Sequence, residues 1–238
     1  MRIKLFTIPN IITLMNLMCG TLAVREVVAN QNYTLAFWLV IMAAIFDFMD
    51  GAAARLLGQH SPLGVQLDSL ADLISFGLAP TFVLFSLAEG ASSALNLDFF
   101  EKFLPYITFI VVAFSALRLA KFNIDENQHS SFVGLPTPAN ALMCMSLGYI
   151  CQIRGLELSV EWWGLIAVVM SVLMVSPLAM FSLKFKGLGW NENGLRYSFL
   201  MLAVVEIIVL GIIYALPAIV VSYILISLIL ALLPSRKA

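Results

Sequence analysis

Residues 47–72 read DFMDGAAARLLGQHSPLGVQLDSLAD, and this stretch decides how the rest of the chain is interpreted. It contains four aspartates and one arginine, and apolar residues flank it on both sides. An aspartate within a membrane span costs about 2.5–3.5 kcal/mol on insertion scales. Four of them in one stretch therefore indicate a function.

The composition of the whole chain indicates an integral membrane protein. Of its 238 residues, 61% are apolar and 11% are charged, and the mean hydropathy is +0.98. A soluble domain averages about 45–50% apolar and about 25% charged residues. The net charge of −1, without a basic patch among aromatics, gives no support for nucleic-acid binding. Three scattered cysteines predict neither a disulfide framework nor a zinc site, and no cleavable signal peptide is expected.

A bilayer core needs about 20 apolar residues per helix, and by this measure the chain has eight candidate spans. We therefore predict an all-α polytopic membrane protein, a single domain over residues 1–238 with a bundle of about eight transmembrane helices. The last two spans are joined so closely, through YALPA, that a single bent segment is an alternative. The predicted spans are 8–28, 33–57, 64–88, 99–122, 135–153, 161–183, 195–213 and 216–234.

The distribution of lysine and arginine predicts the orientation. With the N-terminus in the cytoplasm, ten basic residues fall on the cytoplasmic side and three, Arg25, Lys102 and Arg154, fall outside. Residues 47–72 then open toward the cytoplasm, and the inner membrane of the cell is the expected location. The ten are Arg2, Lys4, Arg55, Arg118, Lys121, Lys184, Lys186, Arg196, Arg236 and Lys237.

The spacing of the four aspartates predicts that they meet. Asp47 and Asp50 share one face of the second span, and Asp68 and Asp72 share one face of the third. The short connection makes these spans antiparallel neighbours. Facing carboxylates repel one another unless cations bind, and an all-oxygen ligand set favours Mg²⁺, Mn²⁺ or Ca²⁺ over zinc. Two such ions about 3.5–4 Å apart would form a phosphoryl-transfer site.

The small residues between the acids have more than one interpretation. Gly51, Ala54 and Gly64 leave the helix surface low, so a nucleotide could approach the backbone, and Arg55 could contact its phosphates or pair with an acid. Small residues in spans also serve tight helix packing. The acids could instead form the ion site of an ion-coupled transporter, although such a path more naturally runs through the midplane.

The same residues resemble the signature of the CDP-alcohol phosphotransferase family. That pattern is DxxDGxxAR, eight residues, then GxxxDxxxD, and every fixed position is present. The stretches IPNIITLMNLMCGTLAV in the first span and RLAKFN…FVGLPTPANA at 118–141 are also similar to phosphatidylserine synthases of this family. The resemblance covers about the first 145 residues, and the spans at about 161–234 are extra.

The resemblance implies an enzyme that transfers the phosphatidyl group of CDP-diacylglycerol to the hydroxyl of L-serine and releases CMP. It implies a divalent metal cofactor, Mg²⁺ or Mn²⁺, with two ions bound. It also implies a homodimer that lies in the lipid membrane. Carried over, Asp47, Asp50 and Asp68 are metal ligands, and Asp72 is a ligand, the general base, or both. The CDP site is expected to include Asn10, Gly51, Ala54, Arg55 and Gly64.

The similarity of residues 118–141 favours serine as the acceptor. Arg118 and Lys121 are candidates for binding its carboxylate or the donor phosphates, and their alternative role is positive-inside anchoring. Asn123 and Thr137 complete the expected pocket. Because a phosphorylated acceptor also calls for basic residues, glycerol 3-phosphate, inositol and inositol phosphate stay open as acceptors.

Three polar residues within the spans have no single interpretation. Asn10 and Asn16 in the first span either touch the nucleotide or hydrogen-bond across helices. Glu206 lies alone in the seventh span, where it is protonated, paired with a polar neighbour, or buried at a subunit contact. The sequence does not indicate what Glu206 does.

Overall fold

The computed structural model describes residues 4–93, 101–124, 132–181 and 189–232. Over these ranges the chain is mainly helical, with one antiparallel ribbon in which β1 (Phe132–Val133) pairs with β2 (Ala179–Met180). A π-helical segment (Leu73–Leu78) joins α3 to α4, and a 3₁₀ helix (Glu101–Phe109) leads into α5. The α-helices are α1 (Ile8–Asn30), α2 (Tyr33–Leu57), α3 (Pro62–Asp72), α4 (Ala79–Ser93), α5 (Ile110–Ile124), α6 (Thr137–Arg154), α7 (Val160–Val175) and α8 (Trp190–Leu232).

The prediction of an all-α, multi-pass membrane protein is confirmed. Five of the described helical segments are long and apolar enough to cross a bilayer. Large apolar side chains such as Phe48 and Ile208 point outward, as expected of helices that face lipid. The five segments are Ile8–Asn30, Tyr33–Leu57, Pro62–Ser92, Lys102–Ile124 and Asn193–Leu232.

The structure does not reproduce the count of eight helices. The described residues form seven continuous helical segments, because the seventh and eighth predicted spans both lie within α8. α6 and α7 are also short for membrane-spanning helices, with 18 and 16 residues.

α8 folds back on itself at Gly211, whose φ of 75° and ψ of 155° are not helical. In a straight helix Glu206 and Ser222 would lie about 24 Å apart. The Ser222 hydroxyl instead donates a hydrogen bond to Glu206 at 2.5 Å, and the rings of Phe199 and Tyr223 lie 5.9 Å apart. The reversal therefore occurs at a glycine, which tolerates positive φ, and not within YALPA as the span boundaries predicted.

Two clusters of buried apolar side chains hold the bundle together. The first lies between α1, α2, α4 and α6 and includes Phe37, Phe76 and Met145. The second lies between α4, α6, α7 and α8 and includes Trp163 and Tyr223. The π-helical segment contributes Phe76 to the first cluster, so this segment is itself part of the core.

Small residues bring α1 very close to the π-helical segment. A Cβ added at Gly20 would lie 2.7 Å from the Cα of Ser75, and the Ser75 hydroxyl donates to the Asn16 carbonyl at 3.1 Å. On the other side of the segment, Gly77 packs against Ser115 of α5. π-helical turns are frequent at functional sites, and this one begins directly after Asp72.

Replacing Gly20 by Ala is expected to destabilise the protein, because the added methyl overlaps the Ser75 backbone, which cannot move without disturbing the π-helical segment. Overpacking of this kind typically costs about 1–3 kcal/mol. Melting curves of the detergent-solubilised protein measure the effect. Gly90→Ala in α4 is the matched control, since a Cβ there meets no described atom within 4 Å. Equal melting temperatures for the two variants would contradict the close approach.

The turn before α6 is tied to the end of α7. Gly134 has a φ of 79°, and its N–H donates to the Leu178 carbonyl at 2.8 Å. The next N–H, of Leu135, donates to the Leu173 carbonyl at 2.9 Å. α6 then begins at Thr137, so these bonds set the position of the first side chain of α6.

Candidate active site

Three aspartates converge where α2 ends and α3 begins. Asp47, Asp50 and Asp68 each place a carboxylate oxygen within 4.8 Å of the other two. α2 ends at Gly58, whose φ of 62° allows the chain to leave the helix, and the Ser61 hydroxyl accepts from an N–H in the first turn of α3 at 3.0 Å. The chain therefore reverses within a few residues, and the acids of the two helices face one another.

The two acid-bearing helices do not pack closely against each other, as a pair of antiparallel neighbours would. α1 packs against both of them instead, and direct packing between α2 and α3 is sparse over the described residues. The acidic groups thus meet across a gap.

Asp72 lies one helical turn after Asp68 and joins the cluster from the interior. Its carboxylate lies close enough to those of Asp47 and Asp68 for their charges to repel one another. The Asn16 amide of α1 donates from Nδ2 to Asp72 Oδ1 at 3.2 Å. Asp72 is 9% exposed, so its carboxylate is held in a defined orientation away from bulk water.

One face of α1 supplies the polar partners of the acids. The Thr13 hydroxyl donates to Asp50 Oδ2 at 2.6 Å, and Asn16 bonds Asp72 across helices, one of its two predicted roles. Thr13 was not among the residues predicted for the site. The signal for it was its spacing, since Asn10, Thr13 and Asn16 recur every three residues and therefore share a face.

A cavity of about 170 Å³ opens beside the acids. Gly64 leaves room at its wall, because a Cβ there would lie 3.2 Å from the Ser61 hydroxyl and 3.3 Å from the Asn10 side chain, and Gly51 lines the cavity without a side chain. The structure thus brings together all five residues expected at the nucleotide site, with two of the acids. The lining residues are Pro9, Asn10, Thr13, Asp50, Gly51, Ala54, Arg55, Gln59, His60, Ser61, Gly64, Val65 and Asp68.

Of the four acceptor candidates, Thr137 is buried and Arg118 is half-buried. Arg118 of α5 donates from Nη1 to the Thr137 hydroxyl at 3.1 Å, and Thr137 is only 1% exposed. Arg118 also interacts electrostatically with Asp72. The pair thus joins α5 to the first turn of α6, within electrostatic range of Asp72.

The other two acceptor candidates lie on the surface. Lys121 and Asn123 are both exposed. The Asn123 amide donates to the Ser69 hydroxyl of α3 at 2.8 Å, so it connects α5 to α3 rather than facing a pocket.

The donor set of the cluster fits a divalent cation. Three carboxylate oxygens from two helices converge, and Asp68 Oδ1 is buried with no hydrogen-bond partner among the described residues. A buried, unpartnered carboxylate oxygen is costly, and a hard cation with oxygen ligands supplies the missing partner. Asp47, Asp50 and Asp68 are thus suited to hold a metal, with Asp72 beside them.

Comparison with known proteins agrees with this geometry. The CDP-alcohol phosphatidyltransferase family profile matches residues 6–174. A Helicobacter pylori protein named CDP-diacylglycerol–serine O-phosphatidyltransferase is 30% identical over 235 residues, which cover 84% of this chain and 95% of the relative. Proteins with the same name from Methanocaldococcus jannaschii and Bacillus subtilis are 32% and 37% identical, over 74% and 58% of this chain and 74% and 72% of theirs. The chain therefore belongs to the CDP-alcohol phosphatidyltransferase family.

Proposed function

We propose that the protein transfers the phosphatidyl group of CDP-diacylglycerol to the hydroxyl of L-serine, which yields phosphatidylserine and CMP. The observation that carries this proposal is the convergence of Asp47, Asp50 and Asp68 beside a cavity at one end of the membrane helices. Three relatives at 30–37% identity bear the name of this activity. A donor with a pyrophosphate and two acyl chains needs an acidic, metal-binding site that is open to lipid.

The family depends on a divalent metal. We propose Mg²⁺ or Mn²⁺, with two ions balancing the four carboxylates of Asp47, Asp50, Asp68 and Asp72. When bound, the metal neutralises the pyrophosphate and stabilises the charge of the departing CMP. The small residues and the arginine that line the cavity would hold the nucleotide. They are Asn10, Gly51, Ala54, Arg55 and Gly64.

Asp72 is the proposed general base. The serine hydroxyl gives its proton to the Asp72 carboxylate while its oxygen bonds to the phosphorus that carries diacylglycerol. The bond from that phosphorus to the oxygen it shares with CMP breaks, and CMP leaves with the electron pair. The hydrogen bond from Asn16 to Oδ1 orients the carboxylate for this transfer.

Serine is proposed to bind between Asp72 and the pair formed by half-buried Arg118 and buried Thr137. The guanidinium would hold the carboxylate of serine, and the electrostatic interaction of Arg118 with Asp72 supports an anchor within reach of the proposed base. Lys121 and Asn123, being exposed, would act at the rim, where they attract or admit the substrate.

We further propose that the chain forms one domain that crosses the membrane eight times, with its N-terminus and active site on the cytoplasmic side. The proposed location is the inner membrane of the cell, and the proposed assembly is a homodimer. The two halves of α8 would be the seventh and eighth crossings. In this topology Arg154 would lie on the opposite side of the membrane. Its guanidinium carbon is 6.0 Å from the centre of the Tyr214 ring, near the reversal of α8. The positive-inside distribution supports the orientation. Five of its basic residues lie outside the described ranges, namely Arg2, Lys184, Lys186, Arg236 and Lys237.

An acceptor panel tests the proposed function. Purified protein with CDP-diacylglycerol and Mn²⁺ or Mg²⁺ is expected to release CMP with L-serine and not with inositol, inositol phosphate, glycerol 3-phosphate or water. CMP release and the lipid product are measured together. Turnover with a different alcohol would reject serine but keep the reaction class. No CMP with any alcohol, combined with ion-driven flux in proteoliposomes, would favour a transporter.

A further inference from the structure

A fully buried amide lies next to the acceptor pair. Asn140 of α6 is 0% exposed and follows Thr137 by three residues, so the two side chains share a helix face. Its Oδ1 accepts a long contact from the Cys144 thiol at 3.7 Å. Its Nδ2 has no hydrogen-bond partner among the described residues. Buried polar groups in folded proteins are nearly always paired, so this donor calls for an explanation.

Arg118 presents a second donor of the same kind. Its Nη1 is engaged by Thr137, but its Nε is buried and has no partner in the described part of the chain. Thr137 connects the two donors, because it bonds to Arg118 and lies one turn from Asn140. Both unpaired atoms are N–H groups, so the missing partner is an acceptor. A carboxylate offers two acceptor oxygens and forms the stronger, charge-assisted bonds.

We infer that Asn140 is a binding residue of the acceptor pocket and donates, together with Arg118 Nε, to the carboxylate of the serine substrate. This inference rests on the proposed function. It assigns the binding of serine to a buried residue, whereas the sequence predicted exposed Lys121 and Asn123 for the same pocket. With the carboxylate at Arg118, the serine hydroxyl is turned toward Asp72, with which Arg118 interacts. An alcohol without a carboxylate leaves both donors unpaired, which is a strong basis for rejecting it.

Replacing Asn140 by Asp keeps the size of the side chain but exchanges the donor for an oxygen that repels a carboxylate. The KM for serine is expected to rise by about 10–100-fold, the range of one hydrogen bond to a charged group. The KM for CDP-diacylglycerol is expected to stay the same. The preference for serine over serinol, which has the amine and hydroxyl but no carboxylate, is expected to fall.

A second variant, Asn140→Leu, separates binding from folding. It removes the unpaired donor, so the protein is expected to melt at the same or a higher temperature while its KM for serine still rises. Ser146→Ala is the matched control on the same helix, because Ser146 is buried and already bonded to the Met143 carbonyl. It is expected to leave the KM for serine unchanged.

The outcomes distinguish this inference from the proposed function. If the wild-type enzyme does not use serine, the proposed function itself is rejected. A wild-type enzyme that uses serine, with Asn140 variants that keep its KM and its preference over serinol, rejects only the role of Asn140. A KM for serine that falls in Asn140→Asp would also overturn the inference, because it would place the amide against the ammonium group.

Discussion

Asp72→Asn is expected to abolish turnover while the binding of CDP-diacylglycerol remains measurable. Asparagine has nearly the same shape, and its oxygen can still accept from Asn16, so the local packing is retained. The amide cannot take up the proton of the serine hydroxyl. General-base catalysis contributes about 10²–10⁴-fold, so a loss of at least this size is expected.

CMP release at saturating serine measures the turnover of this variant, and binding of labelled CDP-diacylglycerol measures the donor site. Glu206→Gln is the matched control, because it makes the same acid-to-amide change at a membrane position bonded to Ser222, in a region outside the family match. It is expected to keep its activity. Unimpaired turnover of Asp72→Asn would remove Asp72 from the role of base.

The second large effect is expected for Asp68→Asn, which should lose activity through the metal. Asp68 is the acid of α3 in the converging trio, and its Oδ1 has no protein partner among the described residues. The amide offers one neutral oxygen where the carboxylate offers two charged ones. Metal stabilisation of the transition state is worth several kcal/mol, so a loss of about 10²–10³-fold is expected at ordinary metal concentrations.

Two measurements test this assignment. The Mn²⁺ or Mg²⁺ concentration that gives half-maximal turnover is expected to rise in Asp68→Asn, and the gain in melting temperature on adding the metal is expected to shrink. Glu157→Gln is the control, because Glu157 is an exposed acid that follows the C-terminal end of α6. A variant with reduced turnover but an unchanged metal dependence would show that Asp68 acts on the substrate rather than as a ligand.

Much of the helical architecture could be predicted because hydropathy and length are local properties. The first two spans, predicted at 8–28 and 33–57, are α1 (Ile8–Asn30) and α2 (Tyr33–Leu57). The reversal at Gly211 and the π-helical turn at Leu73–Leu78 were not predicted. Each depends on a few backbone torsions or on a shifted hydrogen bond, to which the average hydropathy of a span is insensitive.

The same distinction between local and long-range properties applies to the candidate site. Which acids share a helix face followed from their spacing, since three or four residues make one turn in any α-helix. The partners from other helices did not follow. Thr13 bonds Asp50 from 37 residues away, and Asn16 bonds Asp72 from 56 residues away. Contacts at such separations depend on how α1 lies against α2 and α3.

By itself, the amino-acid order determined that this chain lies in a membrane and carries two acidic helix faces joined by a short turn, because both depend on residue type and helical periodicity. The packing between helices, by contrast, sets α1 against both acid-bearing helices and leaves a cavity beside the acids. The same packing leaves the donors Asn140 Nδ2 and Arg118 Nε buried without a partner in the described part of the chain, while Lys121 and Asn123 face outward. The physical reason is that burial and pairing are set by the packing of distant segments, which no local pattern records.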